Sequence, residues 1–483
     1  MVDYAAFDAL LDRVAAALQR GGARPRDTIA ICAASSIEYL ALFVGALRAG
    51  LAVAPLAPGS TAAQLATMAA DAEAGWVFVD AGVAQMGVGW PAAAQVLRLD
   101  DAAQLEGWLA PPGSPPAPVA IDPDWPFNLI YSSGTTDTPK GIVQPHRMRW
   151  GHIQRAGASG YDPQTVTLVA TPLYSNTTLV TVFPTLAYGG SLVLQAKFEA
   201  RSYLELAQRH RATHTMLVPV QYQRLMALAD FECHDLSSFR YKFCTSAPFP
   251  AALKAQVLAR WPGALVEYYG MTEGGGTCIL EAHRYPDKLH TVGQPAEGHD
   301  IRLIDEQGRE IARSPGGASA ASGEIVGRSR AMMTGYHRQP AKTAEAQWFD
   351  EQGRIYIRTG DLGRFDEDGF LILQDRRKDL IISGGFNIYP SDLEAVLRRH
   401  PAVADAAVVG VPSAEWGETP VGFIVLQAGA ADEVEAIRLW ANAQVGKTQR
   451  LAALRAVAEL PRSAIGKVLK RELRERWQRG AAS

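Results

Sequence analysis

Along the first hundred positions, short apolar runs typical of strands alternate with segments whose apolar residues have helical spacing. Together these two patterns predict an α/β arrangement. Short apolar runs at 28–32, 51–55 and 76–79 have the length and composition of buried strands. A helical pattern at 37–47 separates the first two runs, and the N-terminal twenty residues read as an amphipathic helix. Strands separated by helices are typical of βαβ units, so the pattern predicts largely parallel sheets.

The alternation continues through strand-like runs at 168–170, 191–194 and 215–218. The sequence pattern changes at Gly323, where short strand-like runs separated by tight turns begin. From there GEIVG, RIYIRTGDLGRF and DEDGFLILQD predict a β-rich subdomain of hairpins. The step DEDG resembles a calcium loop only superficially, because it lacks the terminal glutamate at the required spacing. A hairpin turn is the better interpretation.

A loop, a helix and a strand are predicted after Lys378, in SGGFNIYPSDLEAVLRRHPAVADAAVVGV. Leu393, Val396 and Leu397 have the spacing of one buried helix face, and Ser391 or Asp392 is the expected N-cap. We place a domain boundary near Lys378. The predicted fold is therefore α/β, with a large N-terminal part of several subdomains (1–378) and a small α+β C-terminal domain (379–483).

Charge and cysteine usage exclude several classes of protein. The chain of 483 residues has 47 Lys and Arg against 50 Asp and Glu, a net charge of −3, which gives no general attraction to nucleic acid or anionic membranes. Its longest apolar stretch is too broken to span a bilayer. The four cysteines have no CxxC or zinc spacing and predict buried free thiols: Cys32, Cys233, Cys244 and Cys278. With no signal peptide in the N-terminal pattern, we predict a cytoplasmic protein.

The strongest local signal for chemistry is YSSGTTDTPKG at 131–141, directly after an apolar run. Glycine permits close backbone approach, hydroxyl and N–H groups donate to phosphate oxygens, and Lys140 adds a positive charge. These properties predict a phosphate cradle. The spacing differs from GxxxxGK[ST], which disfavours a standard P-loop NTPase. A hydroxyl-rich surface turn is the alternative for this segment taken alone.

A second segment, YYGMTEGGG at 268–276, combines an aromatic side chain with a hydroxyl and a carboxylate. The aromatic ring suits stacking on a base, Thr272 suits a phosphate, and Glu273 suits Mg²⁺. The alternative is a glycine-rich loop in which Glu273 merely caps a helix.

Two further segments carry charged residues at turns or strand ends. In YIRTGDLGRFDEDGFLILQDRRKD, Asp361 is placed to accept two ribose hydroxyls, and Arg376 to bind ribose or phosphate. In PRSAIGKVLK, a Gly-Lys step after a turn presents the Lys467 ammonium at the tip of a loop. A solvated lysine is the ordinary alternative for Lys467.

In this order and at these spacings, the segments resemble the adenylate-forming superfamily of acyl- and aryl-CoA synthetases, peptide-synthetase adenylation domains and beetle luciferases. The matching runs extend from about Val14 to Leu473: YSSGTTDTPKG, YYGMTE, RTGDLGRF, DRRKDLIISGGFNIYPSDLE and PRSAIGK. The resemblance implies a two-step reaction that uses ATP, Mg²⁺ and CoA. A carboxylate first attacks the α-phosphate of ATP to give an acyl-adenylate and pyrophosphate, and a thiol then displaces AMP.

The resemblance also implies a role for each matching residue. The β- and γ-phosphates would be bound by Ser132, Ser133, Gly134, Thr135, Thr136 and Lys140. Tyr269 would stack on adenine, Thr272 would contact the α-phosphate, and Glu273 would ligate Mg²⁺. Asp361 would bind the ribose hydroxyls with help from Arg376, and Lys467 would bridge the carboxylate and the α-phosphate oxygens.

Because Lys467 would obstruct the thiol in the second step, the family rotates its small, mobile C-terminal domain about a hinge, which aligns here with Lys378. The rotation would bring Gly384 and Gly385 to the path of the pantetheine chain. Trp416 and Gly417 match the family's CoA-side loop less specifically.

The chain departs from the family pattern in the cradle and in the acyl pocket. Asp137 replaces a glycine, Ser175 stands where a histidine is common, and TSAPF replaces GGAPL at 245–249. The implied pocket residues are Tyr174, Ser175, Thr177, Ser246, Ala247, Gly270, Met271 and Gly275. The hydroxyls among them would bond a polar substituent of the acid, or else serve the adenine side and backbone capping.

The leading hypothesis is an acid–thiol ligase for a small or medium monocarboxylate, aliphatic or aryl, that works as a monomer or homodimer. No acidic residue occurs at 175–178 to bind an α-ammonium, which disfavours an amino-acid substrate. The hinge motif continues without an insertion and no carrier-domain sequence follows Ser483, and both favour a free-standing CoA ligase. One alternative is an adenylating enzyme that loads a separate carrier protein. Another is an inactive nucleotide sensor, suggested by Asp137 but disfavoured by the intact Thr272, Glu273, Asp361 and Lys467.

Overall fold

The computed structural model describes residues 1–132, 140–314, 317–319, 321–376, 379–383, 386–413, 416–430, 433–446, 449–463 and 466–481. The chain divides into a large unit, Met1–Ile301 with Gly327–Ile357, and a small unit, Arg302–Val326 with Arg358–Ser483. The predicted domain boundary lies near Lys378, which is also the expected hinge. Lys378 lies outside the described residues, so the division into 1–378 and 379–483 stays a prediction.

Helices and strands alternate through most of the chain. The strands are β1 (Thr28–Cys32), β2 (Ala52–Pro55), β3 (Ala74–Val79), β4 (Gln95–Arg98), β5 (Pro126–Ser132), β6 (Lys140–Pro145), β7 (Val166–Val169), β8 (Ser191–Leu194), β9 (His214–Leu217), β10 (Tyr241–Cys244), β11 (Ala264–Tyr269), β12 (Cys278–Glu281), β13 (Gln294–Pro295), β14 (Asp300–Ile304), β15 (Gly323–Arg328), β16 (Gly335–Tyr336), β17 (Gln347–Phe349), β18 (Ile355–Phe365), β19 (Leu371–Arg376), β20 (Ile381–Ser383), β21 (Phe386–Ile388), β22 (Val403–Ser413), β23 (Gly417–Leu426) and β24 (Ala453–Ala456). The helices are α1 (Tyr4–Arg20), α2 (Ile37–Arg48), α3 (Ala62–Asp71), α4 (Ala81–Ala84), α5 (Ala102–Trp108), α6 (His146–Ala156), α7 (Asn176–Ala187), α8 (Ala200–Arg209), α9 (Pro219–Met226), α10 (Ala251–Arg260), α11 (Pro340–Glu345), α12 (Pro390–Arg398), α13 (Val434–Asn442) and α14 (Lys470–Ala481). Short 3₁₀ turns lie at Gly157–Ser159 and Phe231–Cys233.

In the described part of the large unit, two seven-stranded sheets each combine a parallel core with an antiparallel edge. The first has the order β16-β6-β5-β2-β1-β3-β4, in which β5 to β4 are parallel and β6 and β16 are antiparallel. The second has the order β13-β12-β11-β10-β9-β7-β8, with β12 and β13 antiparallel. The predicted parallel sheets are therefore present.

Strand β1 shows why its sequence is an unbroken apolar run. Ile29 and Ile31 face one hydrophobic core cluster, whereas Ala30 and Cys32 face another. All five residues of the strand are buried. A strand covered on both faces has no polar side to present, so its sequence lacks the alternation of a half-exposed strand.

Two further sheets have five strands each within the described residues. One has the order β14-β15-β18-β17, with β19 paired to β18. Its β18–β19 hairpin turns at DEDG, where the Gly369 N–H donates to the Asp366 carbonyl at 3.1 Å, so the predicted hairpin turn is confirmed. The other sheet, in the small unit, has the order β21-β20-β23-β22, with β24 paired to β23.

Two local predictions from the sequence are wrong. Helix α12 buries Leu393, Val396 and Leu397 as expected, but Tyr389 occupies its N-cap without a side-chain hydrogen bond. Pro390 fills the first helical turn, where its missing N–H costs nothing, and the Ser391 hydroxyl instead donates to the Gln374 carbonyl.

The second concerns the thiols. Cys32, Cys244 and Cys278 are free and buried as predicted, whereas Cys233 is free and exposed. Cys233 is the last residue of a 3₁₀ turn, and the buried residue of that turn is Phe231. Among the described residues, no helix is both long and apolar enough to cross a membrane.

Candidate active site

The second sheet brings three of the predicted site segments to one edge. The segments at 172–177, 245–249 and 270–276 follow the carboxyl ends of β7, β10 and β11, which run parallel in that sheet. Carboxyl ends of parallel strands meet at the same edge, the usual place for ligand sites in α/β folds. Two of the segments touch, because the Thr177 and Ser246 hydroxyl oxygens lie 2.6 Å apart.

Ser246 has an unusual backbone conformation for a residue with a side chain. Its φ is +81°, in the left-handed region that favours glycine. Such strain tends to occur at functional sites, where the surrounding structure holds it in place. Here the Thr177 hydroxyl bonds the strained residue. Thr177 and Ser246 were predicted to bond the acid, and the structure pairs them with each other.

The glycines after Glu273 are required by close backbone packing. A Cβ on Gly274 would lie 2.1 Å from the Ala331 carbonyl oxygen, and one on Gly275 would lie 2.6 Å from the Gly327 carbonyl oxygen. Both glycines also have positive φ. Backbone packing therefore explains these two glycines, and the predicted place of Gly275 in the acyl pocket stays a prediction.

Three residues from separate segments form the polar centre of the site. The Tyr336 hydroxyl donates to Glu273 Oε1 at 2.9 Å, and the Lys140 ammonium lies 5.4 Å from the Tyr336 ring centroid. Strand β16 pairs with β6, which places Tyr336 opposite Ile142. Burial and the neighbouring Glu273 carboxylate raise the pKa of Tyr336, so its hydroxyl remains a donor near neutral pH.

Glu273 is held in place from its backbone as well, since the Met333 N–H donates to its carbonyl at 2.8 Å. Among the described residues, no group of three or more His, Cys, Asp or Glu side chains forms a metal cage. The single Glu273 carboxylate fits Mg²⁺, which proteins usually bind through one or two carboxylates together with substrate phosphates and waters.

A buried polar network behind Thr272 was not foreseen from the sequence. The Gln144 amide donates to the Thr272 carbonyl at 2.7 Å. Arg149 Nη2 in turn donates to Gln144 Oε1 at 2.7 Å and to Asn176 Oδ1 at 3.0 Å. The network joins β6, α6, the start of α7 and the loop after β11. Gln144, a polar residue in the otherwise apolar run of β6, was the signal that could have pointed to it.

The remaining predicted pocket residues, and Tyr269 predicted to stack on adenine, lie on or directly beside the same three segments. Tyr269 and Ser175 are buried, Tyr174, Ala247 and Met271 are half-buried, and Gly270 is exposed. An aromatic stack approaches these segments along β10 and β11: the Phe243 and Tyr268 ring centroids lie 5.6 Å apart, and those of Tyr161 and Phe243 lie 6.4 Å apart. Tyr161 and Phe243 belong to a buried core cluster, and Tyr268 packs against that cluster beside the site.

In the small unit, Asp361 lies on β18 and pairs in register with Arg376 on β19. The Asp361 N–H donates to the Thr359 hydroxyl at 3.0 Å, and Gly360 before it has a φ of +69°. The strand register shifts just after Asp361, between residues 361 and 363. Bulges of this kind re-aim a side chain, in keeping with a binding role for the carboxylate.

Lys467 follows a tight turn in the same unit. The Ser463 N–H donates to the Lys467 carbonyl at 2.8 Å, and Arg462 Nη1 donates to the Gly466 carbonyl at 2.6 Å. Gly466 has a φ of +77°, which glycine adopts readily. The turn fixes the backbone of Lys467 and leaves its side chain half-buried.

Trp416, which was predicted to lie on the CoA side, lines a cavity of the small unit. Trp416 is 52% exposed and lines a cavity of about 720 Å³ together with Ser383, Arg438 and Arg450. Gly417, with a φ of +77°, pairs in register with Ser383. An aromatic face beside guanidinium groups suits an anionic nucleotide.

Part of the predicted site lies outside the described residues: Ser133, Gly134, Thr135, Thr136, Asp137, Lys378, Gly384 and Gly385. Ser132 and Arg376 are described only by their strand backbone. Ser132 pairs in register with Lys140 of the antiparallel strand β6.

Residues 1–337 match the AMP-binding enzyme family, and residues 392–467 match the AMP-binding enzyme C-terminal domain. This chain belongs to the AMP-binding enzyme family. The assignment to the adenylate-forming superfamily is thereby confirmed.

Relatives and solved structures agree over nearly the whole length. A feruloyl-CoA synthase of Amycolatopsis sp is 32% identical over 480 residues, which cover 98% of this chain and 94% of the relative. A fatty acid–[acyl-carrier-protein] ligase, ScoC of Streptomyces coeruleorubidus, is 29% identical and covers 96% of this chain and 90% of its own. The ATP-bound structure of MatB from Rhodopseudomonas palustris has a TM-score of 0.88 at 30% identity, covering 99% of this chain and 94% of its own, which confirms the predicted fold class.

We expect Tyr336→Phe in this AMP-binding enzyme to raise the KM for Mg·ATP about 10- to 150-fold, the effect of losing one hydrogen bond to a charged group worth ~1.5–3 kcal/mol. Without the hydroxyl, Glu273 Oε1 loses the donor that orients it. Steady-state kinetics at varied Mg·ATP measure the change. Tyr356→Phe is the matched control, because it removes a similar bond to Asp300. Equal KM values in the two variants would contradict the role of Tyr336.

Proposed function

We propose that this enzyme activates an aryl carboxylic acid with ATP and transfers the acyl group to CoA. It is an ATP-dependent acid–thiol ligase, the class to which its relatives belong, so the predicted reaction class is confirmed. The observation that carries the proposal is the convergence of Lys140, Tyr336 and Glu273 at the end of the phosphate-cradle hairpin. The aromatic stack at Tyr268 and the feruloyl-CoA synthase relative support an aryl acid.

In the first step, a carboxylate oxygen attacks the α-phosphorus of ATP, the α–β anhydride bond breaks, and pyrophosphate leaves. Both reactants are anions, so the step needs positive charge where negative charge builds up. We assign Lys140 to the β- and γ-phosphates and Lys467 to the carboxylate and α-phosphate oxygens. Glu273 would hold Mg²⁺, which compensates phosphate charge when bound.

In the second step, the CoA sulfur attacks the acyl carbonyl carbon, the thiol proton is released, and AMP leaves. A lysine side chain at the carboxylate would lie in the path of this thiol. We therefore retain the proposal that residues 379–483 rotate about Lys378 between the two steps, as a discrete gating motion. The cavity beside Trp416 and Arg450 supports CoA as the acceptor, because it offers stacking and positive charge for a nucleotide.

A panel of carboxylic acids, scored by ATP–pyrophosphate exchange and then by thioester formation with CoA, tests the proposal. Exchange with an aryl acid followed by aryl-CoA formation is the expected result. Exchange without CoA thioester, together with loading of a phosphopantetheinylated carrier protein, would favour the alternative suggested by the carrier-protein ligase relative. No exchange with any acid would favour a nucleotide sensor.

We expect Trp416→Ala to raise the KM for CoA about tenfold or more, because stacking of a base on an aromatic ring is worth ~1–3 kcal/mol. Acid-dependent ATP–pyrophosphate exchange should stay within about twofold, since CoA takes no part in the first step. Trp150→Ala is the control, because Trp150 lies on α6 and is similarly exposed at 56%. A parallel loss in both half-reactions would remove Trp416 from the CoA site.

The cellular location and the assembly state complete the proposal. We place the enzyme in the cytoplasm, as the cysteine pattern suggests, acting as a monomer or homodimer. Nucleic acid and integral membrane association are not part of the proposed function.

A further inference from the structure

One face of helix α6 carries a row of basic side chains. Arg149, His152 and Arg155 follow one another at intervals of three residues, and His299 joins them from the loop before β14. We call these four residues the basic row. Among the described residues, no carboxylate forms an ion pair with any of them. Arg149 and Arg155 therefore carry buried or half-buried positive charge without a counter-ion, which is costly and makes the row unusual.

Two members of the row face each other with donor groups. The Thr277 N–H donates to His299 Nδ1 at 3.0 Å, so the proton of the neutral ring is on Nε2. Arg155 Nη1, which only donates, lies 3.3 Å from that Nε2. Burial and the Arg155 charge lower the pKa of His299 to about 4, so the ring is neutral near pH 7. An acceptor between the two groups would satisfy both donors at once.

At the other end of the row, Arg149 has neutral acceptors for Nη2 in Gln144 and Asn176 but no carboxylate partner among the described residues. Arg149 is 1% exposed, and its Nε has no hydrogen-bond partner among the described residues. Its Nη1 lies 3.4 Å from His152 Nδ1. Burial lowers the pKa of Arg149 to about 9, and burial with the surrounding guanidinium groups lowers that of His152 well below its ordinary value. Burial is the first cause of both pKa shifts, and the nearby guanidinium charges add to the shift of His152.

The row runs beside the segments that form the acyl side of the site. Arg149 bonds Asn176, which lies between Ser175 and Thr177. At the other end, the Arg155 guanidinium lies 5.8 Å from the Tyr268 ring centroid, and His299 accepts from the loop that follows Glu273. All these residues belong to the large unit.

We propose that the basic row binds a second acidic group on the substrate, so that the enzyme prefers an aryl dicarboxylic acid. This inference rests on the proposed function and specifies its substrate class. The carboxylate that reacts is at the adenylation end, whereas the second carboxylate accepts from Arg155 and His299. Guanidinium groups suit this role because their donors match the two oxygens of a carboxylate.

The test compares matched acids that differ in one substituent: benzoate with terephthalate, and cinnamate with 4-carboxycinnamate and 4-hydroxycinnamate. We expect at least one dicarboxylate to exceed its monoacid by about tenfold or more in kcat/KM for ATP–pyrophosphate exchange, as charge-assisted hydrogen bonds predict. A preference for the hydroxy acid over the dicarboxylate would overturn the inference in favour of a neutral acceptor. Equal activity with monoacids and dicarboxylates would overturn it while the proposed function stands.

Variants then locate the effect. Arg155→Met should lower kcat/KM for the dicarboxylate about tenfold and leave kcat/KM for the monoacid unchanged. Arg155→Lys should restore part of the loss. Arg147→Met, on the same helix, should leave kcat/KM for both acids unchanged. Arg155→Met should also keep or raise the melting temperature of the ligand-free enzyme, because it removes an uncompensated charge. An equal loss with both acids, or a destabilised variant, would instead indicate a structural role and overturn the inference.

A binding measurement that requires no adenylation tests this inference independently of the proposed function. The dicarboxylate alone should raise the melting temperature of the wild type more than that of Arg155→Met, and benzoate should not distinguish the two proteins. Absence of exchange with every acid would refute the proposed function, but the binding difference would still support the anion site. Absence of a binding difference would refute the site.

Discussion

Replacing Lys467 by alanine is expected to slow acyl-adenylate formation about 100- to 1000-fold, the usual cost of removing one group that stabilises transition-state charge. Its ammonium is the proposed link between the attacking carboxylate and the α-phosphate. The loss should appear in kcat for ATP–pyrophosphate exchange, because the interaction strengthens only as charge moves between the two anions. The turn that holds the backbone at 463–467 should survive, since its hydrogen bonds come from Ser463, Gly466 and Arg462.

The thioester half-reaction should be spared in the same variant. Pre-formed acyl-adenylate supplied with CoA should still give thioester at close to the wild-type rate, because the first step has been bypassed. Lys470→Ala is the matched control: Lys470 is a neighbouring lysine that pairs with Glu394 at 2.9 Å, and its removal should leave both half-reactions intact. Equal losses in the two half-reactions of Lys467→Ala would argue for a general structural role.

The sequence was sufficient to predict features set by local patterns. The buried strand β1, the partly exposed strand β8, the helix face of Leu393 to Leu397 and the DEDG turn follow from periodicity and turn chemistry, which act over a few residues. The motif segments were recognised for the same reason. Their meeting at one sheet edge follows once β7, β10 and β11 are known to be parallel neighbours.

Contacts between distant segments were not predictable from those patterns. Tyr336 reaches Glu273 only because β16 pairs with β6, and a two-residue strand leaves no periodic signal. The φ of +81° at Ser246 is likewise imposed by its surroundings. Local preference at such positions is overridden by tertiary structure, which is where functional sites most often depart from simple sequence rules.

The largest effect on stability is expected from Lys254→Met, which should lower the free energy of unfolding by about 3–5 kcal/mol, the cost of removing one partner of a buried ion pair. Lys254 on α10 is ion-paired with Glu267 on β11, and the two side chains are only 2% and 5% exposed. The ammonium also donates to the carbonyls of Leu289 at 2.8 Å and Thr291 at 2.9 Å. Urea unfolding followed by circular dichroism measures the loss.

The pH dependence identifies the cause of that loss. Burial raises the pKa of Glu267 above its ordinary value of 4.5, and Lys254 opposes the rise. A carboxyl whose folded pKa exceeds its unfolded value contributes stability below the unfolded value and loses it as pH rises through the folded one. Removing Lys254 raises the folded pKa further, so the deficit of Lys254→Met should be larger at pH 8 than at pH 5. Lys254→Met combined with Glu267→Leu should recover most of the stability, because no buried charge remains. If the loss in free energy of unfolding is independent of pH and persists in the double variant, packing and not the uncompensated carboxylate is its cause.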